Sequence, residues 1–367
     1  MRSSQFRNGA EKMLPGKAGR CLAKALIVMS LLWPAAARAA YTSARQLLDK
    51  PPEWYASEEA ARAARAILSY QSPLGGWPKN VDTAGQPYDG DPDALRPTFD
   101  NSATTDELRF LARVFNATQD DRYRQAFIKG LDYILKAQYP NGGWPQSYPP
   151  PSGYGRHITF NDGAMVRLMF FVREVATDDA RYAFVDPQRR SAARQAWDRG
   201  IDCILKCQIK VDGKLTAWCA QHDEKDFSPR PARAFEPASI SGCETIGIVH
   251  ALMAVQNPGP EIIAAVDAAY EWLNAVKIPG IRVEDRPQEG TPRGHDRFVV
   301  PDPSAEPMWA RFYEIGTNRP IFADRDGVVK YDLREIGIER RTGYQWLKYW
   351  PKNFVSQEYP QWKAKVK

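Results

Sequence analysis

This sequence predicts an all-α fold of three helical hairpins stacked side by side. One observation is a repeat: ARAARAILSYQ ends at Gln71, FIKGLDYILKAQ at Gln138 and WDRGIDCILKCQ at Gln208, steps of 67 and 70 residues. A fixed period of that size marks a repeat architecture. A second is that each copy is followed by another apolar run: SATTDELRFLARVF, DGAMVRLMFFVREV and GCETIGIVHALMAV. The third is the period within the runs. Phe127, Leu131, Ile134 and Leu135 return every three or four positions, as do Leu108, Leu111, Ala112 and Phe115, which puts them on one helical face.

In chain order, the first 39 residues read as a secretory signal peptide. They combine a basic start (Arg2, Arg7, Lys12), an apolar run from Ala25 to Trp33 and a small-x-small end, Ala37-Arg38-Ala39. The run is too short to span a bilayer. Residues 40–367 are then expected to form a single domain, monomeric, and exported to the periplasm or the medium. The leader holds seven of the 50 basic side chains and one of the 44 acidic ones, so 43 of each remain and the net charge falls to zero. No general attraction to nucleic acid or membrane is expected.

The first hairpin is expected to end its leading helix at Gln71 and turn through Gly75-Gly76-Trp77-Pro78; the second repeats this with Gln138 and Gly142-Gly143-Trp144-Pro145. An eroded third turn runs from Val211 to Trp218. A large aromatic in a Gly-Pro turn either plugs the hairpin end or offers a flat face to a sugar ring. The 11 tryptophans and 16 tyrosines tilt the reading toward carbohydrate, with Trp77 and Trp144 lining a groove. Thr104 followed by Glu107 is a capping-box signature for a return helix. A fourth leading run, AAVDAAYEWLNAVK, ends at Lys277. Residues 283–327, rich in Pro, Gly, Asp and Arg, are expected to be ordered loops with a short helix from Ala305 to Tyr313.

Hairpins cannot bury their apolar stripes alone, so they stack, as an open solenoid or a closed ring. Their long loops then share one face, and loops of such length usually carry function. On that face lie two equivalent tetrads, Thr98-Phe99-Asp100-Asn101 and Thr159-Phe160-Asn161-Asp162. One acid or amide of each pair suffices as an N-cap. The surplus oxygens suit a hard cation such as calcium, or the two carboxylates of a glycosidase. In the third repeat Pro231-Ala232-Arg233-Ala234-Phe235-Glu236-Pro237 replaces the tetrad, and Arg293, Arg297, Arg311, Arg319 and Arg325 follow. Arginines ordered among aromatics form forks for carboxylate or phosphate, so a polyanionic carbohydrate is the expected ligand. Cys203, Cys207, Cys219 and Cys243 allow three disulfide pairings or core thiols. Their spacing matches no familiar zinc pattern. No phosphate-binding loop, nucleotide fingerprint, nucleophile elbow or His-Glu-x-x-His is present.

Gly75-Gly76-Trp77-Pro78, Thr98-Phe99-Asp100-Asn101, Phe160-Asn161-Asp162-Gly163, Arg233-Ala234-Phe235-Glu236-Pro237 and Trp309-Ala310-Arg311-Phe312-Tyr313 together resemble the pectate lyases of polysaccharide lyase family 10. The resemblance runs from about residue 45 to 355. It implies an (α/α)3 toroid-like barrel, a calcium requirement and anti β-elimination on polygalacturonate. It also implies an arginine base, matched here by Arg311. Asp100 and Asp162 match metal-ligating positions, Asn101 an active-centre amide, and Arg233, Arg297 and Arg325 uronate-binding arginines. An arginine base needs neighbouring positive charge to lower its pKa, and Arg297 and calcium are expected to supply it. His295 and Tyr313 are the fallback bases. An inverting glycosidase using Asp100 and Asp162, or a binding module without catalysis, is the alternative. The long loops suggest an open groove and internal cleavage.

Overall fold

The computed structural model describes residues 43–366; the expected signal peptide lies outside them. Its body is helical: α1 (Glu58–Ser69), α2 (Thr105–Thr118), α3 (Asp121–Ala137), α4 (Ala164–Thr177), α5 (Asp179–Tyr182), α6 (Pro187–Cys207), α7 (Glu244–Met253) and α8 (Pro260–Ala275). The leading runs are α1, α3, α6 and α8, and the return runs are α2, α4 and α7, as the periodicity predicts. Leading helices pack in the order α1, α3, α6, α8, and return helices in the order α2, α4, α7. The two rows meet in one core that includes Leu108, Phe127, Ile134, Phe171 and Leu252. Among the described residues no helix is long and apolar enough to cross a membrane.

The repeated Gln and Trp explain why the rows hold together. Each leading helix leaves carbonyls without partners at its C-terminal end. Trp77 Nε1 donates to Ile67 O at 2.7 Å, Trp144 Nε1 to Ile134 O at 3.0 Å and Trp218 Nε1 to Ile204 O at 2.8 Å. Trp309 does the same for Leu273 O at the end of α8. The glutamines bind across to the next leading helix. The Nε2 atoms of Gln71, Gln138 and Gln208 donate to Ala126 O, Ala196 O and Ala265 O respectively, at 2.8 to 2.9 Å. Gly142 (φ 93°) must be glycine at this joint, because a Cβ there would lie 2.0 Å from Arg199 O. Trp77 and Trp144 are wholly buried. The groove-lining expectation for them is therefore wrong: they plug and cap.

Two local expectations also fail. Thr104 has φ 74° and caps nothing; its hydroxyl accepts from Trp77 N and donates to Thr98 O instead. Ala305 to Tyr313 is not helical. Trp309–Ala310 pairs antiparallel with Leu347–Lys348, and Phe312–Tyr313 with Ile240–Ser241. Farther upstream Ile281–Pro287 and His295–Pro301 form an antiparallel hairpin. The helical class thus holds for the body, while short two-stranded pieces fasten the C-terminal segment to it.

Candidate functional site

The same Trp-centred joints deliver the polar residues. In each repeat the Trp carbonyl accepts from the residue that opens the return segment: Thr98 N to Trp77 O, Thr159 N to Trp144 O and Ser241 N to Trp218 O. The next backbone N–H bonds to the residue two beyond the following Trp: Phe99 N to Gln146 O, Phe160 N to Ala220 O and Gly242 N to Arg311 O. By this register Asn101, Asp162 and Glu244 are equivalent, and Arg311 occupies the place of Lys79, Gln146 and Ala220. The third tetrad is therefore Ser241 to Glu244, not the Arg233 segment. Glu244 went unrecognised because Gly242-Cys243 keeps none of the Phe-Asp/Asn lettering. The start of the third return run was the available signal.

The turns present their oxygens through strained backbone. Asn101 and Asp162 sit at φ 53° and 50°, a left-handed region that Asn and Asp tolerate better than other side chains. Asp162 and Arg311, distant in the chain, meet here. Arg311 Nη2 donates to Asp162 Oδ1 at 2.9 Å, to Asn161 Oδ1 at 3.1 Å and to Glu244 Oε1. One nitrogen with two hydrogens thus serves three oxygens, and the cluster of one guanidinium and two carboxylates carries excess negative charge. Burial alone pulls the Arg311 guanidinium down, but Glu244, Tyr344, Cys243 and Asp162 push it up, and it lies well above its ordinary value. These surroundings are the opposite of those a base requires.

Asp100 is buried; its Oδ2 takes Lys79 and Gln146, while Oδ1 is enclosed without any partner. A buried carboxylate oxygen left unmatched is costly. The Asp100 turn packs against that of Asp162, whose side chain is 39% exposed, and two carboxylates with no His or Cys are the donor chemistry a hard cation takes. Arg167 Nη1 is likewise buried without a partner nearby, and burial holds this guanidinium below its usual range despite Asp106, Asp162 and Asp100. Asn101 binds Asn80 Oδ1 and borders a separate hollow with Lys79. Among the described residues His157, Asp223 and Glu224 also bring donor atoms within 4.8 Å of one another. Arg156 and Arg230 already neutralise those two carboxylates.

Beside Arg311 opens a groove of about 690 Å³ lined by Arg293, Arg297, Tyr344, Lys348 and Tyr349. Arg297 is held by both oxygens of Asp285 and by Tyr344 O. Tyr344 joins the two halves of the site: its ring centroid lies 4.8 Å from Arg311 Cζ and 5.8 Å from Arg233 Cζ. Its hydroxyl donates to Glu236 at 2.7 Å. Glu236 grips Nε and Nη2 of Arg233, which leaves Nη1 outside that clasp on a side chain 43% exposed. That bond raises the Arg233 guanidinium above its ordinary value. Arg340 and Arg325 gather with Arg233 around the Phe235 ring, though Arg325 is chiefly a surface partner of Glu339.

The fallback bases fare worse. Tyr313 is fully buried, donates to Val276 O and accepts from Ala310 N, and burial pushes its phenol above the usual range. His295 lies 3.6 Å from Asp285 with an enclosed Nε2. The four cysteines are free thiols, three of them buried, so no disulfide forms among them.

The model of the pectic acid lyase family matches residues 71–355. Among solved structures, a family 10 polysaccharide lyase from Cellvibrio cellulosa is 34% identical with a TM-score of 0.73, covering 88% of this chain and 97% of its own. A point mutant of that protein, in complex with trigalacturonic acid, is similar to the same extent. No curated protein matches.

Proposed function

The chain belongs to the pectic acid lyases, polysaccharide lyase family 10, and is a pectate lyase; from that premise we propose that it cleaves polygalacturonate by calcium-assisted anti β-elimination with Arg233 as the base. The closed (α/α)3 toroid, secretion and internal cleavage of the polymer belong to the same reading. One observation carries it: Asp162, Asn161 and Glu244 converge on Arg311 beside a groove of arginines and tyrosines.

Arg233 suits the base better than Arg311 on access: its side chain is 43% exposed and the Glu236 clasp holds only Nε and Nη2, whereas Arg311 is 5% exposed and bound to two carboxylates. Glu236 raises the Arg233 guanidinium too, so positive charge beside it, from a bound cation and from Arg325 and Arg340, has to bring it down. Arg233 Nη1 takes the proton from C5 of a galacturonate. The C–H electron pair becomes the C4–C5 double bond, and the bond from C4 to the glycosidic oxygen breaks. Water gives that oxygen a proton, and the hydroxide left behind takes the proton from Arg233 and resets it. Arg311, charged throughout, binds the uronate carboxylate where negative charge grows. Arg297 and Tyr344 hold the sugar in line. Asp100 and Asp162 would hold a calcium ion, which when bound supplies further positive charge to that carboxylate.

The assay is polygalacturonate with and without chelator, followed by the ultraviolet absorbance of the new ring double bond. Absorbance that grows, stops on chelation and returns with calcium supports the reading. Reducing ends without absorbance would show a glycosidase, and binding without new ends a noncatalytic module.

A further inference from the structure

We propose that Glu244 is the positioning residue of this site: it fixes the Arg311 guanidinium against the sugar's carboxylate and is not itself a ligand of the cation. The inference rests on the lyase reading and assigns a residue that no sequence pattern singled out. Glu244 sits on the first turn of α7 with its side chain only 1% exposed. Both of its oxygens are engaged. Ser241 Oγ donates to Oε2, and Arg311 Nη2 donates to Oε1, which also lies 3.5 Å from Asp162 N. Ser241 in turn accepts from the backbone N–H groups of Cys243 and Glu244 at 3.1 Å each, so the carboxylate is clamped to the start of its own helix.

Asp162 differs in exposure: its oxygens also have partners, Arg311 at Oδ1 and Asn161 Nδ2 at Oδ2, but its side chain is 39% exposed on a left-handed turn, open to a cation as the 1% exposed Glu244 is not. Arg311 thus has a hidden anchor and an open neighbour. Its backbone is fixed by separate bonds, Arg311 N to Trp346 O at 2.7 Å and Gly242 N to Arg311 O at 3.0 Å. Nε is enclosed without a partner. Beside the Tyr344 ring, the contacts at Nη2 are therefore the polar ones that determine where the guanidinium plane points. A charge-assisted bond to a buried carboxylate is the strongest of them.

The test is Glu244→Gln, with Glu244→Asp and Ser241→Ala beside it, each checked by thermal melting for an intact fold. Turnover, calcium affinity by calorimetry and trigalacturonate affinity are read on each. Gln keeps the shape and loses the charged clasp, so kcat/KM falls by about 100-fold, the scale of a 1 Å misplacement. Trigalacturonate binds more weakly, calcium affinity stays within about twofold, and Asp restores part of the rate. Ser241→Ala gives a smaller loss of the same kind, which keeps the test valid if Gln perturbs folding. Wild-type kinetics in Glu244→Gln would overturn the proposal. Loss of calcium binding would overturn it by making Glu244 a ligand, and a faster enzyme would overturn it by making Arg311 the base. A wild-type enzyme that yields no unsaturated product would instead mark failure of the lyase reading itself.

Discussion

At the scale of single residues, two arginines divide binding from proton removal. Arg233→Ala is expected to lower turnover by at least about 10³-fold, within the usual worth of a general base, while trigalacturonate affinity changes little. Arg311→Ala is expected to lose both, since it removes the carboxylate's counter-charge. Calorimetry and initial rates on the two variants check this. Because Glu236 raises the Arg233 guanidinium, the neutral fraction is small and grows about tenfold per pH unit below the pKa. The rate should climb through the alkaline range with that slope, and a plateau near neutrality would point to another base. A separate titration concerns stability. Burial is the main cause that lifts Glu107 to about 7, so the protonated form is favoured in the fold. Its stabilising effect is full below about pH 4 and is lost as pH rises through about 7. Glu107→Gln, which can keep the Thr83 contact, should therefore melt higher than wild type at pH 8 and equally at pH 4, by roughly 2 to 3 kcal/mol of stability at the upper end.

At the scale of elements, the joint between successive hairpins is a hydrogen-bonded device and not a surface. Trp144→Phe keeps one aromatic ring and removes the pyrrole half with the N–H that Ile134 O receives. The variant should lose about 2 to 4 kcal/mol from the lost bond and the cavity together, lower the melting temperature and leave kcat unchanged; a lost kcat with an unchanged melt would return Trp144 to the groove. These joints also show what was legible in the sequence. Helix period and the recurrence of Gln and Trp are local, and they placed α1 to α4 and α6 to α8. Where the indoles point is decided by carbonyls in the preceding helix, which period cannot report. Thr104 likewise carried cap chemistry but was claimed by Trp77 N. Trp309 to Tyr313 looked helical in isolation, yet its partners lie at 240–241 and 347–348, pairings too remote for any local pattern.

At the scale of the whole molecule, the stack turns distant segments into one anionic-sugar site. Asp162 was legible through the recurring tetrad, and Arg311 through the family resemblance of Trp309 to Tyr313. Glu244 and Tyr344 were not, since the first needed the backbone register and the second the fold of the C-terminal segment around Phe235. The mature chain is neutral overall, but its groove gathers Arg293, Arg297, Arg311 and Lys348. Attraction for polygalacturonate is therefore local and screened by salt. KM should rise severalfold between 0.05 and 0.5 M salt, roughly the range over which screening shortens most, while kcat holds; an unchanged KM would deny the groove its role. The most direct test of elimination at this site is mass spectrometry of a defined oligogalacturonate after one cut. The account predicts two fragments whose masses together equal the substrate, one lighter than a normal uronate oligomer by one water. Fragments that together equal the substrate plus one water would contradict it.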